Sequence, residues 1–376
     1  MRTKFTLEPY FNTYKYMVPF YDALIKKSTK LTKRDFLLSL GISPATYNRA
    51  NTHDTAATKK IFDKLERSFN INPLNSARLQ FYDEVLADLI IKIYYKHTDI
   101  LNLESRIQSC IMDNNYLAPI FELLLYLMRL QNTDLLEILK DDYIEAYNSL
   151  KCYEGLFKAY PVFELYEYLF ISTGNPKILS IASDIPISTD FRGMIYNAIA
   201  VNAYHNNRYD LSLYYSNKAI SELIKMCNYR RIIILNLTFF ATLNAMGEYK
   251  ATIYEATHQL MYLYDTKSFD KVLMITKLHL YNAYIGENQF DDIISLANSY
   301  SSKAITDYVY LLIASRALGL DSYNTYKMEA LELNEKRIYD IISILEEDNI
   351  NIKKDKIKDS GLNKTLVKLL LSHYNI

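Results

Sequence analysis

Glycine and proline are scarce in this chain, eight of each in 376 residues. With so few turn-makers, the expectation is long helices joined by short turns. The glycines are also too scattered to cradle a phosphate: neither GxGxxG nor GxxxxGK[ST] occurs. Cysteine is rarer still. Cys110, Cys152 and Cys227 lie far apart and are odd in number, so they read as reduced, buried fillers of a cytoplasmic protein. The six histidines (His53, His97, His205, His258, His279 and His373) never pair at i, i+3 or i, i+4, and there is no HExxH or CxxC. No metal ligation is expected. The acid pairs Asp141-Asp142 and Asp291-Asp292 are read as helix starts, where the dipole favours negative charge. No catalytic constellation emerges, so neither an enzyme nor a cofactor is expected.

Long apolar runs are missing too. The stretch MRTKFTLEPYFN has no signal-type apolar core. The most apolar run, Ile232 to Met246, is interrupted by Asn236, Thr238, Thr242 and Asn244. Neither secretion nor a membrane span is expected.

What is present is apolar bulk: half the residues are hydrophobic, enough for a sizeable core and against wholesale disorder. The length exceeds what one core comfortably fills, which calls for several domains or an elongated repeat. The formal charge is zero but unevenly spread. Residues 1–72 hold 13 Lys and Arg against 6 Asp and Glu, a net of +7, and the remainder is −7. A basic head on an acidic body suits a nucleic-acid module joined to something else.

The head has a legible helical grammar. Tyr14, Met17, Val18, Tyr21, Leu24 and Ile25 keep helical spacing. A second helix is predicted over 32–40, with Thr32 as N-cap, Asp35 in a capping-box relation, and Phe36, Leu37 and Leu40 inward. Gly41 suits a C-cap in the left-handed region, Ser43 an N-cap, and Pro44 the first position of a third helix running through Tyr47 and Ala50. A fourth, from about Thr55, carries Ile61, Leu65 and Phe69 on one face. Helix, glycine turn and short polar helix is the helix-turn-helix layout, although an ordinary helical hairpin shows similar caps. The third helix would present Ala45, Thr46, Asn48 and Arg49, groups suited to base edges.

Leu31, Thr32, Leu40, Gly41, Ile42, Ser43, Thr46, Arg49 and the closing FNIN resemble the compact domain of the phage-repressor (Xre-type) family, whose pattern runs LTQxELAxxLGISxxTISRxE. Lys33, Tyr47 and Asn51 depart from it, standing for the family's phosphate-binding Gln, buried Ile and usual Glu. The resemblance implies that Thr32, Lys33 and Arg34 set the backbone register, with Ser43 also among the DNA-binding residues. Ala45, Thr46, Asn48 and Arg49 would face bases, and a homodimer would sit on an inverted-repeat operator in double-stranded DNA.

The body reads as helix after helix. Ala203–Ile220, Leu243–Leu260 and Ala283–Tyr300 each end one apolar helix in a polar turn and open the next with an aromatic: Tyr209, Tyr249 and Phe290. Weaker copies occur at RLQNTDLLEIL, ISTGNPKILSIA and ALGLDSYNTYKMEAL. This resembles tetratricopeptide repeats, with Asn207-x-Tyr209 and Gly247-x-Tyr249 at the Gly-x-Tyr joint. Ser212, Thr252 and Ile293 stand where the repeat has Ala. Such repeats stack into a solenoid with a concave face. On that register Asn197, Asn244 and Asn282 fall on or near inward positions, with Tyr204 close by and Asn202 and Asn236 borderline. An Asn amide can both donate to and accept from a peptide backbone.

The expected fold is therefore all-α: a helix-turn-helix domain over 1–72, then a right-handed α-solenoid of degenerate tetratricopeptide-like repeats over 73–376. The combination resembles the peptide-pheromone receptors of Gram-positive bacteria and their phages, the Rap, NprR, PlcR, PrgX and Rgg group with the arbitrium receptor AimR as a relative. That resemblance implies a cytoplasmic transcription regulator controlled by a short signalling peptide. Dimer contacts would come largely from C-terminal helices such as Thr365–Tyr374. Two alternatives lack DNA binding: a protein-binding repeat scaffold, and a phosphorelay regulator whose head binds protein.

Overall fold

A computed structural model describes residues 14–50, 56–95, 101–132, 140–159, 162–181, 191–264, 269–300 and 302–376. Among the described residues every regular element is a helix and none is a strand. Asn51, His53, Thr55, His97 and most of the RLQNTDLLEIL copy lie outside them. Contacts divide the chain into two compact units, Met1–Ile232 and Ile233–Ile376.

The first unit opens with α1 (Tyr14–Ser28), α2 (Lys33–Ser39), α3 (Pro44–Arg49) and α4 (Ala56–Phe69). It continues through α5 (Leu79–Tyr95), α6 (Leu101–Met112), α7 (Ala118–Asn132), α8 (Lys140–Leu150), α9 (Glu154–Ala159), α10 (Phe163–Ser172), α11 (Ile178–Ile181), α12 (Arg192–His205) and α13 (Tyr209–Lys225). The division falls within α14 (Tyr229–Met246). The second unit goes on with α15 (Tyr249–Tyr264), α16 (Asp270–Gly286), α17 (Phe290–Asn298), α18 (Ile305–Ala317), α19 (Ser322–Leu331), α20 (Lys336–Leu345), α21 (Ile350–Asp359) and α22 (Lys364–His373).

Scarce glycine does not prevent sharp helix ends, because asparagine takes the left-handed position instead. Asn207, Gly247 and Asn288 have φ of 58°, 83° and 56°. Each turn closes in the same way: Arg208 N–H donates to Ala203 O (2.9 Å), Glu248 N–H to Leu243 O (2.9 Å) and Gln289 N–H to Tyr284 O (2.8 Å). This satisfies carbonyls that the helix end leaves open. Tyr209, Tyr249 and Phe290 then open α13, α15 and α17. Further along, Ser212, Thr252 and Ile293 are all fully buried. Gly286 is needed for a different reason: a Cβ there would lie 2.5 Å from the Tyr249 ring.

The cysteine expectation needs correcting. All three are free, but only Cys110 is buried; Cys152 is intermediate and Cys227 is exposed. Cys227 occupies a left-handed turn position, φ 53°, and Asn228 N–H closes that turn on Leu223 O.

In the first unit, α1 buries Met17, Val18, Phe20, Tyr21 and Ile25 and packs on α9 as well as on α2 and α4. Phe20 stacks on Tyr153 with ring centres 6.1 Å apart. The end of α4 is tied to the α6–α7 turn, where Asn114 Nδ2 donates to Asn70 O (2.7 Å) and Asn72 N–H to Asn114 O (3.0 Å). The buried Arg231 guanidinium caps the end of α5, donating to Tyr94 O and Ile93 O, each at 2.5 Å. A cation suits that end of a helix dipole.

The second unit is centred on a continuous apolar cluster from α16 to α22, including Tyr281, Leu311, Ile341 and Leu370. Inside it, Lys277 Nζ lies 2.6 Å from Asp307 Oδ1, with both side chains at 9% exposure or less. Tyr281 donates to the same oxygen at 2.6 Å, and Asp307 Oδ2 accepts from Ala304 N–H at 2.9 Å. Both carboxylate oxygens are thus engaged, which a buried ion requires.

Candidate nucleic-acid interface

The short segment from Thr32 to Ala50 is shaped by local chemistry. Thr32 Oγ1 accepts from Asp35 N–H (3.2 Å) and donates to the Asp35 carboxylate (2.6 Å), starting α2. Phe36 and Leu37 are buried. Gly41, φ 65°, ends the helix, with Ile42 N–H on Leu37 O (2.8 Å) and both side chains buried. Pro44 opens α3, as expected; Ser43 stands at the cap position, but its side chain makes no capping hydrogen bond. Lys64 of α4, outside the residues expected to matter, donates to Leu40 O at 2.9 Å and fastens the turn. The signal for it is a basic residue brought to a helix C-terminus, where carbonyls lack partners.

Tyr47 anchors α3. It is fully buried, and its hydroxyl donates to Asp22 Oδ1 (2.9 Å) and lies 3.2 Å from Val18 O. Burial first, and then the Asp22 carboxylate, raise the Tyr47 phenol far above its usual range. With Tyr47 and Ala50 turned inward, Ala45, Thr46, Asn48 and Arg49 are all exposed along the rest of the helix. Thr32, Lys33, Arg34 and Ser43 are exposed beside them. Lys30, Lys59, Lys60 and Lys64 are further exposed cations of the same four-helix segment. Lys33, expected to meet a phosphate, has its ammonium 2.6 Å from Asp22 and 4.7 Å from the centre of the Tyr47 ring. Asp22 was not foreseen.

The six residues expected on the peptide face fall three in each unit. In the first, Asn197 and Tyr204 are half-buried, and Tyr204 packs against His205 and Tyr209. Asn202 is buried, its amide donating to Ile171 O (3.0 Å) and Asn175 O (3.3 Å), and its oxygen accepts from Asn206. In the second, Asn236 donates to Gln259 Oε1 at 2.8 Å. Asn282 is buried and accepts from the Tyr310 hydroxyl at 2.7 Å. Asn244 is buried and donates to His279 O at 3.0 Å, while its Oδ1 has no hydrogen-bond partner.

No family model, curated protein or solved structure matches the chain. Among the described residues no helix is long and apolar enough to cross a membrane, and no cluster of His, Cys, Asp and Glu is arranged to hold a metal ion.

Proposed function

We propose that the protein is a cytoplasmic DNA-binding transcription regulator controlled by a short signalling peptide. The observation that carries the DNA half is the α2–turn–α3 segment. A single buried aromatic, Tyr47, fixes α3, which leaves Ala45, Thr46, Asn48 and Arg49 exposed beside Lys33 and Arg34. A short helix that buries little and offers hydrogen-bonding groups beside cations suits a major groove edged by phosphates. Residues 1–72 then act as a helix-turn-helix head. A second copy of the chain is needed to span an inverted repeat, because one such module touches few base pairs.

For the body, the matching turns at Asn207, Gly247 and Asn288 support degenerate tetratricopeptide-like repeats. The peptide half rests on the inward asparagines. Asn244 Oδ1 is the acceptor in this set still in need of a donor, and an unmet buried acceptor costs about 1–3 kcal/mol. A peptide N–H would meet it only after a rearrangement that opens this oxygen, which is shut from solvent, to the peptide. The peptide acts by favouring one geometry of the dimer over another, since only differential binding shifts an equilibrium.

A second reading, a protein-binding scaffold or phosphorelay regulator without DNA binding, draws on the packing of α1 against α9 and of Phe20 against Tyr153. That packing makes the head part of a larger bundle. The experiment that separates the two is retention of random-sequence and genomic DNA fragments by the purified protein across a salt series. Selective, salt-sensitive retention supports the regulator. No retention at low salt supports the scaffold.

A further inference from the structure

The last two helices of the second unit form an open groove of about 420 Å³, lined by Lys358, Leu362, Lys364, Val367, Lys368 and Leu371. Its floor is apolar: Leu362, Val367 and Leu371 are half-buried and pack on the second unit's core. Its rim is cationic. Lys358, Lys364 and Lys368 are exposed, and among the described residues none of them makes an ion pair. Neighbouring lysines are engaged instead, Lys356 with Glu347 at 2.8 Å and Lys353 over the Tyr374 ring at 4.3 Å. Residues 350–376 hold six lysines against two aspartates, although the chain beyond residue 72 is acidic as a whole.

We infer that this groove is a docking site for an acidic amphipathic helix of a partner protein. Val367 and Leu371 lie one turn apart on α22, and so do Lys364 and Lys368, giving parallel apolar and cationic rows. A helix with apolar residues at i, i+3, i+4 and i+7, flanked by Glu or Asp, matches both rows at once. Charge complementarity selects the acidic partner, because a basic helix would set cation against three unpaired lysines. The apolar floor gives nothing to a nucleic-acid backbone. An open groove also fits a small anion poorly, since small ligands favour sites that enclose most of their surface. The inference does not depend on the function proposed for the head.

The test uses the full-length protein and a fluorescently labelled peptide of about five helical turns, with leucines at that spacing flanked by glutamates. Its counterpart carries lysine for each glutamate. The acidic peptide is expected to bind with a dissociation constant on the order of 10 μM, to weaken as salt rises, and to lose about tenfold in affinity in Lys364→Glu/Lys368→Glu. These lysines are exposed, so the variant should keep the helical circular-dichroism spectrum and unfolding midpoint. Val367→Asp should weaken binding as well. Equal binding of both peptides, or undiminished binding by the double variant, would overturn the proposal. So would binding to phosphatidylserine vesicles without peptide binding, which would make the groove a lipid contact. Self-association lost in the double variant, again without peptide binding, would assign the groove to a second copy of this chain.

Discussion

The Lys33 ammonium and the Asp22 carboxylate lie 2.6 Å apart at the entrance to α2, and Asp22 also accepts the hydroxyl hydrogen bond of Tyr47. One carboxylate thus holds both the residue that anchors α3 and the cation proposed to meet a phosphate. A DNA phosphate must compete with Asp22 for Lys33. Both side chains are about 40% exposed, so the pair is worth at most about 1 kcal/mol. Asp22→Asn keeps an acceptor for Tyr47 and frees Lys33. The expected result is DNA affinity raised up to about fivefold, with a salt dependence steeper by about one counterion. Asp63→Asn, which removes the same charge elsewhere in the head, controls for long-range attraction. Equal gains from both variants would show that the contact itself is irrelevant.

Gly286 and Tyr249 provide a packing test. Gly286→Ala should destabilise by about 1–3 kcal/mol, because the new Cβ meets the Tyr249 ring. Gly247→Ala meets no neighbour but must hold φ at 83°, costing about 1–2 kcal/mol. Tyr249→Ala should cancel most of the first cost and none of the second. Denaturant unfolding of the single and double variants reads this out, and additive costs for Gly286→Ala and Tyr249→Ala would refute the packing argument.

The Lys277–Asp307 pair predicts an asymmetry. Lys277→Met leaves a buried carboxylate without its cation and should cost roughly 3–5 kcal/mol. Lys277→Met with Asp307→Leu should cost less than the sum of the two single changes. The residual cost of the double change comes from Ala304 N–H and the Tyr281 hydroxyl, which lose their acceptor.

His279 predicts how stability varies with pH. Burial holds its imidazole pKa down at about 4, against about 6.5 in an unfolded chain. The unfolded state therefore binds more protons between these values. This contribution is complete above about pH 6.5 and is lost as pH falls toward 4. The unfolding midpoint of wild type should fall over that window more steeply than that of His279→Gln. Parallel curves would contradict the assignment.

How much of this was legible follows from the range of the forces involved. Thr32, Gly41 and Pro44 act on backbone groups within a few residues of themselves, and they take the places expected. Asp35 completes no capping box, since its carboxylate accepts from the Thr32 hydroxyl and not from the Thr32 backbone. The left-handed turns at Asn207 and Asn288 fit what asparagine tolerates, whereas nothing in a cysteine announces the positive φ of Cys227. Asp22 with Lys33, and Lys64 with Leu40, join different helices, so no local spacing reveals them. The asparagines show the same limit. Repeat register can place Asn202, Asn244 and Asn282 on a helix face. Whether their amides meet Ile171 O, His279 O or the Tyr310 hydroxyl depends on which helix packs against them.

The central claim is that α3 reads DNA, and Arg49 tests it most directly. Wild type, Arg49→Ala and Lys33→Ala should be titrated against the best-retained genomic fragment and a scrambled copy, with helical content and unfolding midpoint checked in parallel. The account predicts that Arg49→Ala, still folded, loses roughly tenfold or more on the selected fragment and little on the scrambled one. Lys33→Ala should weaken both alike and lower the salt dependence by about one counterion. Unchanged binding by folded Arg49→Ala would contradict the account and return the head to the scaffold reading.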